Sequence, residues 1–350
     1  MDSLALLESL SNAFGVSGFE DEVRASVQAL VEPFADEMRT DALGNLIVTR
    51  RGQSDFTLML DAHLDEVGLM ISHVEEAGFL RFAPIGGWDA RILLAQSVSI
   101  RTRTGGTVKG VIGSVPPHVL KPEEREKPVP LDAMYIDVGA GSAAAAAAMG
   151  IRVGDPAAPG QPFARLSQDT VLGKAFDDRA GCAVMIKTLE TLARERLDLT
   201  LVCAFVTGEE TGLRGARTAA YQIEPDLALA LEGTVAADTP GVPPARQPTG
   251  MGKGPALTIA DLSIIVSPRV VRALERLAEQ HGIPYQYKLP IFGGTDAGAI
   301  HTTRGGVLAG VVSVPCRYIH SPASLLHLGD FEHTVGLVTA FVREAPTIFG

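Results

Sequence analysis

Short apolar runs of strand-like length recur along this sequence, and several of them are separated by segments with helical periodicity. The runs lie at residues 45–49, 56–62, 199–207, 226–231 and 307–315. Runs of this length between helical patterns are typical of strands that alternate with helices. The chain is therefore predicted to fold as a layered α/β protein.

Several helices can be predicted from apolar residues spaced three and four apart. They cover residues 4–13, 19–34, 179–195, 268–281 and 331–344. Ser267 can cap the fourth of these helices, and Pro268 fits its first turn. The alanines at 143–148 predict one further short helix, since Ala is the best helix former and Gly flanks the run.

The stretch from 69 to 164 differs from the rest of the chain. It consists of short alternating runs such as SVSIRTRTGGTVKGVIG, separated by Gly and Pro, without an amphipathic helix of normal length. We therefore expect a small β-rich domain, residues 69–164, inserted into an α/β domain formed by residues 1–68 and 165–350.

Composition and charge narrow the class of protein. Hydrophobic residues make up 46% of the 350 residues, which is ample for a buried core. The net charge of -11 disfavours nucleic acid as a partner, because phosphate binding depends on clustered Lys and Arg. No basic leader or membrane-length apolar run is present, so we expect a cytoplasmic protein without a membrane partner. Cys182, Cys203 and Cys316 lie far apart among apolar residues and are predicted to be reduced core thiols.

Residues with metal-binding chemistry lie at or just after the ends of strand-like runs. They are His63, Asp177, Glu209 with Glu210, Glu232, and His320. In open α/β sheets, ligands bind beyond the carboxyl ends of the strands, so residues in these positions can converge although they are distant in sequence. This shared placement predicts a single site.

Each residue taken alone also has a structural interpretation. Asp178 can cap the helix at 179–195, and a single His at the end of a strand is often a satisfied structural residue. Asp65, however, lies two residues after His63 and on an extended chain points to the same side, so it can orient the imidazole or share its metal. Glu209 and Glu210 are neighbours that an extended backbone would direct apart, which suits separate roles.

Histidine and carboxylate ligands without thiolates fit zinc, cobalt or manganese, and this set is large enough for two ions sharing a bridging carboxylate. The sequence has no G-x-S-x-G nucleophile elbow, and its cysteines lack polar surroundings, so covalent catalysis is disfavoured. The segment IFGGTDAGAI at 291–300 lacks the spacing of a phosphate-binding loop. It is either backbone lining a pocket or a structural turn.

Several motifs together resemble the M42 family of dinuclear metallopeptidases, relatives of the M20 and M28 groups, and the resemblance spans nearly the whole chain. The motifs are DAHLDEVGLM at 61–70, GKAFDDRAG at 173–181, VTGEETGLRGA at 206–216, LEGTVAADTPG at 231–241, FGGTDAGAI at 292–300 and YIHSP at 318–322. The resemblance implies a cytosolic aminopeptidase that removes N-terminal residues from peptides with a water bridged by two divalent metals.

Roles carried over by position follow from this resemblance. It implies that Asp177 bridges the metals, that His63 and Glu232 complete one site, and that Glu210 and His320 complete the other. Asp65 would orient His63, and Glu209 would act as the general base. Motif alignment alone selects Asp177 over Asp178, and the ligand at 232 is often Asp in related peptidases. Thr295 and Asp296 are the predicted substrate-binding residues.

The resemblance also implies architecture and assembly. The α/β domain should be a mixed sheet flanked by helices, of the phosphorylase/hydrolase-like zinc peptidase type, and the insertion a small PDZ-like β-barrel used for dimerisation. Such dimers commonly assemble into tetrahedral dodecamers.

Two other classes of function stay open at this point. One keeps the metals but changes the substrate, as in carboxypeptidases, deacylases or the glucanase label attached to this family. The other is a metal-stabilised assembly protein without activity. The presence of Glu209 beside a full ligand set argues against the second, because a structural metal needs no base.

Overall fold

The computed structural model describes residues 1–350 apart from the side chain of Glu124. In chain order, the helices are α1 (Ser3–Asn12), α2 (Asp21–Val31), α3 (Pro122–Arg125), α4 (Ala143–Ala148), α5 (Phe176–Leu192), α6 (Arg214–Ile223), α7 (Pro268–Gln280), α8 (Ala297–Ile300) and α9 (Leu328–Phe349).

The strands form two separate sheets. In chain order, they are β1 (Glu37–Thr40), β2 (Leu46–Arg50), β3 (Thr57–His63), β4 (Gly68–Val74), β5 (Leu80–Ile85), β6 (Ser97–Arg101), β7 (Thr107–Gly113), β8 (Tyr135–Asp137), β9 (Pro156–Pro159), β10 (Ala164–Arg165), β11 (Thr170–Gly173), β12 (Thr200–Val206), β13 (Leu227–Val235), β14 (Ala256–Thr258), β15 (Gln286–Lys288), β16 (Leu308–Arg317) and β17 (Ser324–His327).

The larger sheet is mixed and has 11 strands, in the order β1-β2-β12-β3-β13-β16-β17-β11-β10, with β14 and β15 branching from β16. Its centre is parallel, because β12 and β13 both pair with β3, and β16 pairs with β13 in the same direction. Antiparallel strands complete both sides. The central strands are buried along almost their whole length, which explains why they appear in the sequence as continuous apolar runs.

Helix α5 lies in the core between the sheet and other helices. It packs against β3 and β13 on one side and against α1 and α9 on the other. Its buried residues include Ala180, Val184 and Leu189, on several faces of the helix. Burial on several faces is expected where neighbours cover most of a helix.

The second sheet is a closed six-stranded barrel in the order β4-β5-β8-β7-β6-β9. It has its own apolar core, to which Ile71, Val98 and Ile136 contribute. Phe14 and Val16 form a further small apolar cluster with Ala158 of the barrel strand β9. The predicted mixed sheet with helices and a small β-barrel is therefore confirmed at the level of architecture.

The predicted helices are all present, with ends that shift by a few residues. The second ends at Val31 and passes into a 3-10 turn, whereas the last continues to Phe349 because its apolar spacing persists beyond 344. The Ser267 cap and the alanine helix are confirmed, and the three cysteines are buried and free. The helix at 214–223 and the short edge strands were not predicted, since their apolar patterns are too brief or too polar.

Candidate functional site

The parallel centre of the sheet brings the predicted residues to one edge. His63 is the last residue of β3, the Glu209–Glu210 pair follows β12, and His320 follows β16. Glu232 differs from its prediction, because β13 continues to Val235 and the residue lies inside this strand. The strand was predicted to end at 231 because a carboxylate interrupts its apolar run.

Asp177 reaches this edge from the start of α5. The backbone there passes so close to β13 that a side chain at Gly233 would meet the Phe176 carbonyl oxygen at 2.7 Å and the Asp177 Cα at 2.9 Å. Only glycine permits this approach. The glycine of the Leu-Glu-Gly sequence thus places Asp177 beside Glu232.

The carboxylate of Asp177 lies between two histidines. Its Oδ1 is 3.3 Å from His63 Nε2, and its Oδ2 is 3.3 Å from His320 Nε2. On one side, Glu232 Oε2 lies 3.8 Å from His63 Nε2, and on the other, Glu210 Oε1 lies 3.2 Å from His320 Nε2. The residues therefore form two adjacent groups that share one carboxylate.

Asp65 supports both the histidine and the pair of glutamates. Its carbonyl oxygen lies 3.0 Å from His63 Nδ1, with its Oδ1 at 3.5 Å. The same carboxylate accepts hydrogen bonds from the backbone N–H groups of Glu209 and Glu210, at 3.0 and 3.1 Å, and from the Ser17 hydroxyl at 2.6 Å. The i, i+2 spacing predicted that the Asp65 carboxylate orients His63, whereas the shorter contact comes from the backbone carbonyl oxygen and the carboxylate lies at 3.5 Å. The hydrogen bonds to Ser17, Glu209 and Glu210 depend on the fold.

Glu209 and Glu210 lie in a turn and not in the extended backbone assumed from the sequence. The carbonyl oxygen of Glu209 accepts hydrogen bonds from the N–H groups of Gly212 and Leu213. The two side chains nevertheless differ in their neighbours, since Glu209 Oε2 is 3.9 Å from His63 Nε2 while Glu210 faces His320.

Asp178 has the capping contact that its position suggested. Its Oδ1 accepts a hydrogen bond from the N–H of Gly181 at 2.8 Å, and its Oδ2 accepts one from the N–H of His63 at 3.2 Å. The residue is fully buried, and its carboxylate lies within 4.8 Å of ligand atoms of His63 and Glu232. Both its oxygens are therefore engaged in holding backbone groups of the site.

The barrel contributes to the site through the loop after β5. The Gly87 carbonyl oxygen lies 3.1 Å from His320 Nδ1, which leaves the other ring nitrogen facing Asp177 and Glu210. This backbone contact orients the histidine in the way that Asp65 orients His63. It was not predicted, because a glycine carbonyl has no signal in the sequence.

Burial and mutual repulsion perturb the acids of the site. The pKa of Glu209 is raised to about 7 and that of Glu210 to about 8, mainly by burial and also by the charge of Asp177, while the histidines oppose both shifts. Burial also raises the pKa of Glu232 well above its usual value. A site with this many buried acids is unfavourable without added positive charge.

The histidines and the shared aspartate shift in the opposite sense. Burial alone would lower the pKa of His63, but hydrogen bonds to Asp177 and Asp65 raise it well above its usual value. Burial also opposes the shift of His320, whose contacts with Asp177 and Glu210 raise its pKa to about 9. The pKa of Asp177 is lowered, because hydrogen bonds to His320 and His63 outweigh its burial.

The donor set fits divalent metal ions. Nitrogen and carboxylate oxygen atoms from distant parts of the chain lie within 4.8 Å of one another in three overlapping groups, and none of them is a thiolate. The groups are His63 with Asp178 and Glu232, His63 with Glu209 and Glu210, and Asp177 with Glu210 and His320. Dications bound there would offset the repulsion that raises the pKa of the buried glutamates. The site thus has acidic and histidine groups able to hold metal.

A cavity of about 530 Å³ adjoins these residues. Its lining includes Glu209, Glu232 and Thr295, so the segment after Phe292 does line a pocket. Asp296 is absent from this lining and is 1% exposed, and its backbone N–H donates to Glu232 Oε1 at 3.3 Å. The structure thus separates the two predicted substrate-binding residues.

Two charged residues near the site were missed in the sequence. Asp61 precedes His63 by two residues in β3 and is fully buried, and burial raises its pKa to about 7 although a side-chain contact with Asp296 lowers it. The same i, i+2 spacing that singled out Asp65 could have identified it. Lys288 lines the cavity from β15, a strand too short to be predicted.

Comparison with known proteins gives a consistent result. The model of the family described as M42 glutamyl aminopeptidase matches residues 44–337. The chain is 33% identical over 350 residues to the lysyl aminopeptidase of Pyrococcus furiosus, covering 97% of this chain and 96% of that protein.

Solved structures agree over the same length. A TET aminopeptidase from the marine sediment archaeon Thaumarchaeota archaeon SCGC AB-539-E09 has a TM-score of 0.95 at 40% identity, covering 97% of this chain and 96% of that one. The TET1 peptidase of Pyrococcus horikoshii, described as assembling into a tetrahedron or a large octahedral shell, has a TM-score of 0.87 at 32% identity, covering 98% and 100%. Among the described residues of the present chain, every helix is too short or too polar to cross a membrane.

Proposed function

Because the chain belongs to the M42 peptidase family and is an aminopeptidase, we propose that it hydrolyses N-terminal residues from peptides with two divalent metal ions and a glutamate base. The observation that carries this proposal is the Asp177 carboxylate, whose two oxygens face two different histidines at 3.3 Å each. One carboxylate between two nitrogen ligands is the arrangement that a pair of bridged ions requires.

His63, Asp177 and Glu232 would hold one ion, and Asp177, Glu210 and His320 the other. Asp178 also lies within reach of His63 and Glu232. We assign the shared ligand to Asp177, because its two oxygens face both histidines, whereas the Asp178 oxygens accept hydrogen bonds from the N–H groups of His63 and Gly181. Zinc is the metal we expect first, and cobalt or manganese suit the same ligands. When bound, such ions polarise the scissile carbonyl and lower the pKa of water.

Glu209 would act as general base and then as general acid. Its carboxylate lines the cavity, and its Oε2 lies 3.9 Å from His63 Nε2 while Glu210 faces His320, which leaves Glu209 free to exchange a proton. It would take a proton from the attacking water and deliver it to the departing amine. Asp65 contributes by position, because it holds the N–H groups of both glutamates.

The cavity would bind the N-terminal residue and the start of the peptide. Thr295 belongs to its wall, whereas Asp296 would support Glu232 from behind. A free amino group fits an edge crowded with buried carboxylates, since it brings positive charge to them. This feature favours an aminopeptidase over a carboxypeptidase or deacylase.

We further propose that the chain forms a homo-oligomer built from dimers, with the barrel as the dimerisation domain and a tetrahedral dodecamer as the final assembly. The barrel would correspond to the PDZ-like insertion, and the larger domain to the phosphorylase/hydrolase-like fold. Support comes from the P. horikoshii relative, described as forming a tetrahedron. Three buried, free cysteines suit a reducing compartment such as the cytoplasm.

The test of the proposed base is the variant Glu209→Gln. Removal of the base should lower kcat by about 100-fold or more, while two equivalents of metal stay bound, because the amide keeps the size of the side chain and the metal ligands are untouched. Release of the first residue from peptides with free and acetylated N-termini is measured after zinc, cobalt or manganese is restored to stripped protein.

The matched control is Glu224→Gln, an exposed acid paired with Arg304 at 2.9 Å and remote from the cavity. It should keep full activity. Full activity of Glu209→Gln would exclude its role as base. Hydrolysis of the acetylated peptides alone would instead favour a deacylase.

A further inference from the structure

Lys288 is a buried lysine that lines the catalytic cavity. Its residue is 5% exposed and lies at the end of β15, where it pairs with Thr258 of β14. Within the part of the chain that the structure describes, its ammonium group has no hydrogen bond and no carboxylate within 4.0 Å. Lysines are almost never this buried unless they are paired.

The contact recorded for this ammonium is aromatic. Its Nζ lies 5.3 Å from the centre of the Phe292 ring, within the range of a cation–π interaction. Such a contact satisfies none of the three N–H donors of the group. The donors are therefore available to an acceptor that enters the cavity.

The lining of this cavity contains several acidic side chains and one basic side chain. The acids Glu209, Glu210 and Glu232 belong to it, and of its lining residues in the described chain only Lys288 carries a Lys or Arg side chain. Apolar side chains, among them Leu213, also contribute. A ligand that carries both an amino group and a carboxylate complements such a cavity.

We infer that Lys288 determines specificity by binding the side-chain carboxylate of an N-terminal Glu or Asp, with Phe292 packed against the same lysine. This inference rests on the proposed aminopeptidase function, which places the substrate amino group among the acids. Family membership does not decide the preference, since the family is described by its glutamyl aminopeptidase and relatives 33% and 32% identical are named lysyl and glutamyl aminopeptidase. An N-terminal Lys or Arg would meet like charge at Lys288 and is disfavoured.

The experiment compares kcat/KM for tripeptide amides that differ only in the first residue: Glu, Gln, Leu or Lys. A charged hydrogen bond in a buried site corresponds to at least about tenfold preference for Glu over Gln. Lys288→Met keeps an unbranched side chain only one atom shorter but removes the charge, and should abolish this preference, while kcat/KM for the Leu peptide changes by less than about threefold.

Two further variants separate charge from packing. Lys288→Arg should retain a preference for Glu over Gln, and Lys288→Glu should reverse the order in favour of the Lys peptide. Lys109→Met, a lysine on the barrel that contacts Ser99, should leave all ratios unchanged.

The outcomes distinguish this inference from the proposed function. No release from any peptide by metal-loaded wild-type protein would overturn the proposed function itself. Release with equal loss for the Glu, Gln and Leu peptides in Lys288→Met would leave the aminopeptidase intact and overturn the role of Lys288. An effect of Lys288→Met on peptides with a free C-terminus, but not on the amides, would assign the lysine to the peptide carboxylate and likewise overturn the inference.

Discussion

At the scale of single residues, the site depends on carboxylates that each serve two partners. Asp177 faces two histidines, and the Asp65 carboxylate accepts hydrogen bonds from the Ser17 hydroxyl and from two backbone N–H groups, while its Oδ1 lies 3.5 Å from His63 Nδ1. Carboxylates suit this role because each oxygen accepts more than one hydrogen bond. Replacement by an amide changes one oxygen into a donor and so opposes the donors that this oxygen now accepts from.

Asp65→Asn is expected to weaken metal affinity or kcat/KM by about 10–100-fold, the effect usual for a residue that orients a ligand. The new amide N–H₂ would point at the N–H of Glu209 or Glu210, or at the Ser17 hydroxyl, all of which now donate to Asp65. Metal titration and steady-state kinetics measure the loss.

Asp137→Asn provides the comparison for this prediction. Asp137 is exposed on the barrel and accepts one hydrogen bond from the N–H of Gly139. It should behave as wild type in both measurements. Equal behaviour of the two variants would show that Asp65 does not orient the site.

At the scale of elements, the site depends on how the segment before α5 is attached to the loop after β3. Glu66 accepts hydrogen bonds from Lys174 Nζ at 2.6 and 2.7 Å and from the N–H of Gly15 at 3.1 Å, with Arg179 at 3.5 Å. Glu66 follows Asp65, and Lys174 lies three residues before Asp177. This buried network therefore joins the two segments that carry the shared aspartate and its supporting residue.

Glu66→Gln should lower the free energy of unfolding by about 3–5 kcal/mol, because it leaves the charges of Lys174 and Arg179 buried without their counter-ion. Glu37→Gln is the control, since Glu37 pairs with Arg51 on the surface at 2.9 Å, and such exposed pairs contribute about 0–1 kcal/mol. Urea unfolding of both metal-free variants gives the comparison. A loss below 1 kcal/mol for Glu66→Gln would contradict the role of the network.

At the scale of the whole molecule, two cores meet at the site. The core of the large sheet and the core of the barrel are separate, yet the barrel loop orients His320 through Gly87. Any movement of the barrel relative to the large domain would therefore change the position of one candidate ligand. The charge state of the site, set by pH and by bound metal ions, is expected to affect the stability of the whole protein.

The metal-free protein should lose stability as the pH rises. Burial raises the pKa of Glu209 from 4.5 to about 7 and that of Glu210 to about 8. Despite its burial, His320 shifts from 6.5 to about 9 through its acidic neighbours. A raised pKa in the folded state stabilises the fold below the unfolded pKa, and this contribution is lost as the pH rises through the folded pKa. The decline should therefore extend from about pH 4.5 to about pH 9.

Metal should reverse this trend, because ions bind the deprotonated carboxylates and neutral imidazoles. Unfolding temperatures measured at several pH values, with chelator and with zinc, are expected to diverge as the pH rises. In the metal-free Glu210→Gln variant the decline should be shallower. Parallel curves with and without zinc would contradict the proposed site.

Much of the site could be predicted, because many of its residues are marked by their spacing within short segments of the sequence. The i, i+2 spacing of His63 and Asp65 is a local feature of the sequence, and so is the position of acids directly after apolar runs. Parallel strands then bring the carboxyl ends of these runs to one edge of the sheet. Prediction was less accurate where a charged residue belongs to a strand, as with Glu232, or where a turn replaces extended backbone, as at Glu209.

The sequence by itself determined the layered α/β architecture, the inserted β-rich stretch and the residues with ligand chemistry, because periodicity and residue type are local properties. Only the tertiary structure decided that Asp177 lies between both histidines, and that Lys288 lines the same cavity as Glu209 and Glu232. These relations join segments tens to more than a hundred residues apart. Their distances are set by the packing of α5 on β13 and of β15 beside β14. Local sequence patterns do not specify which distant elements pack together.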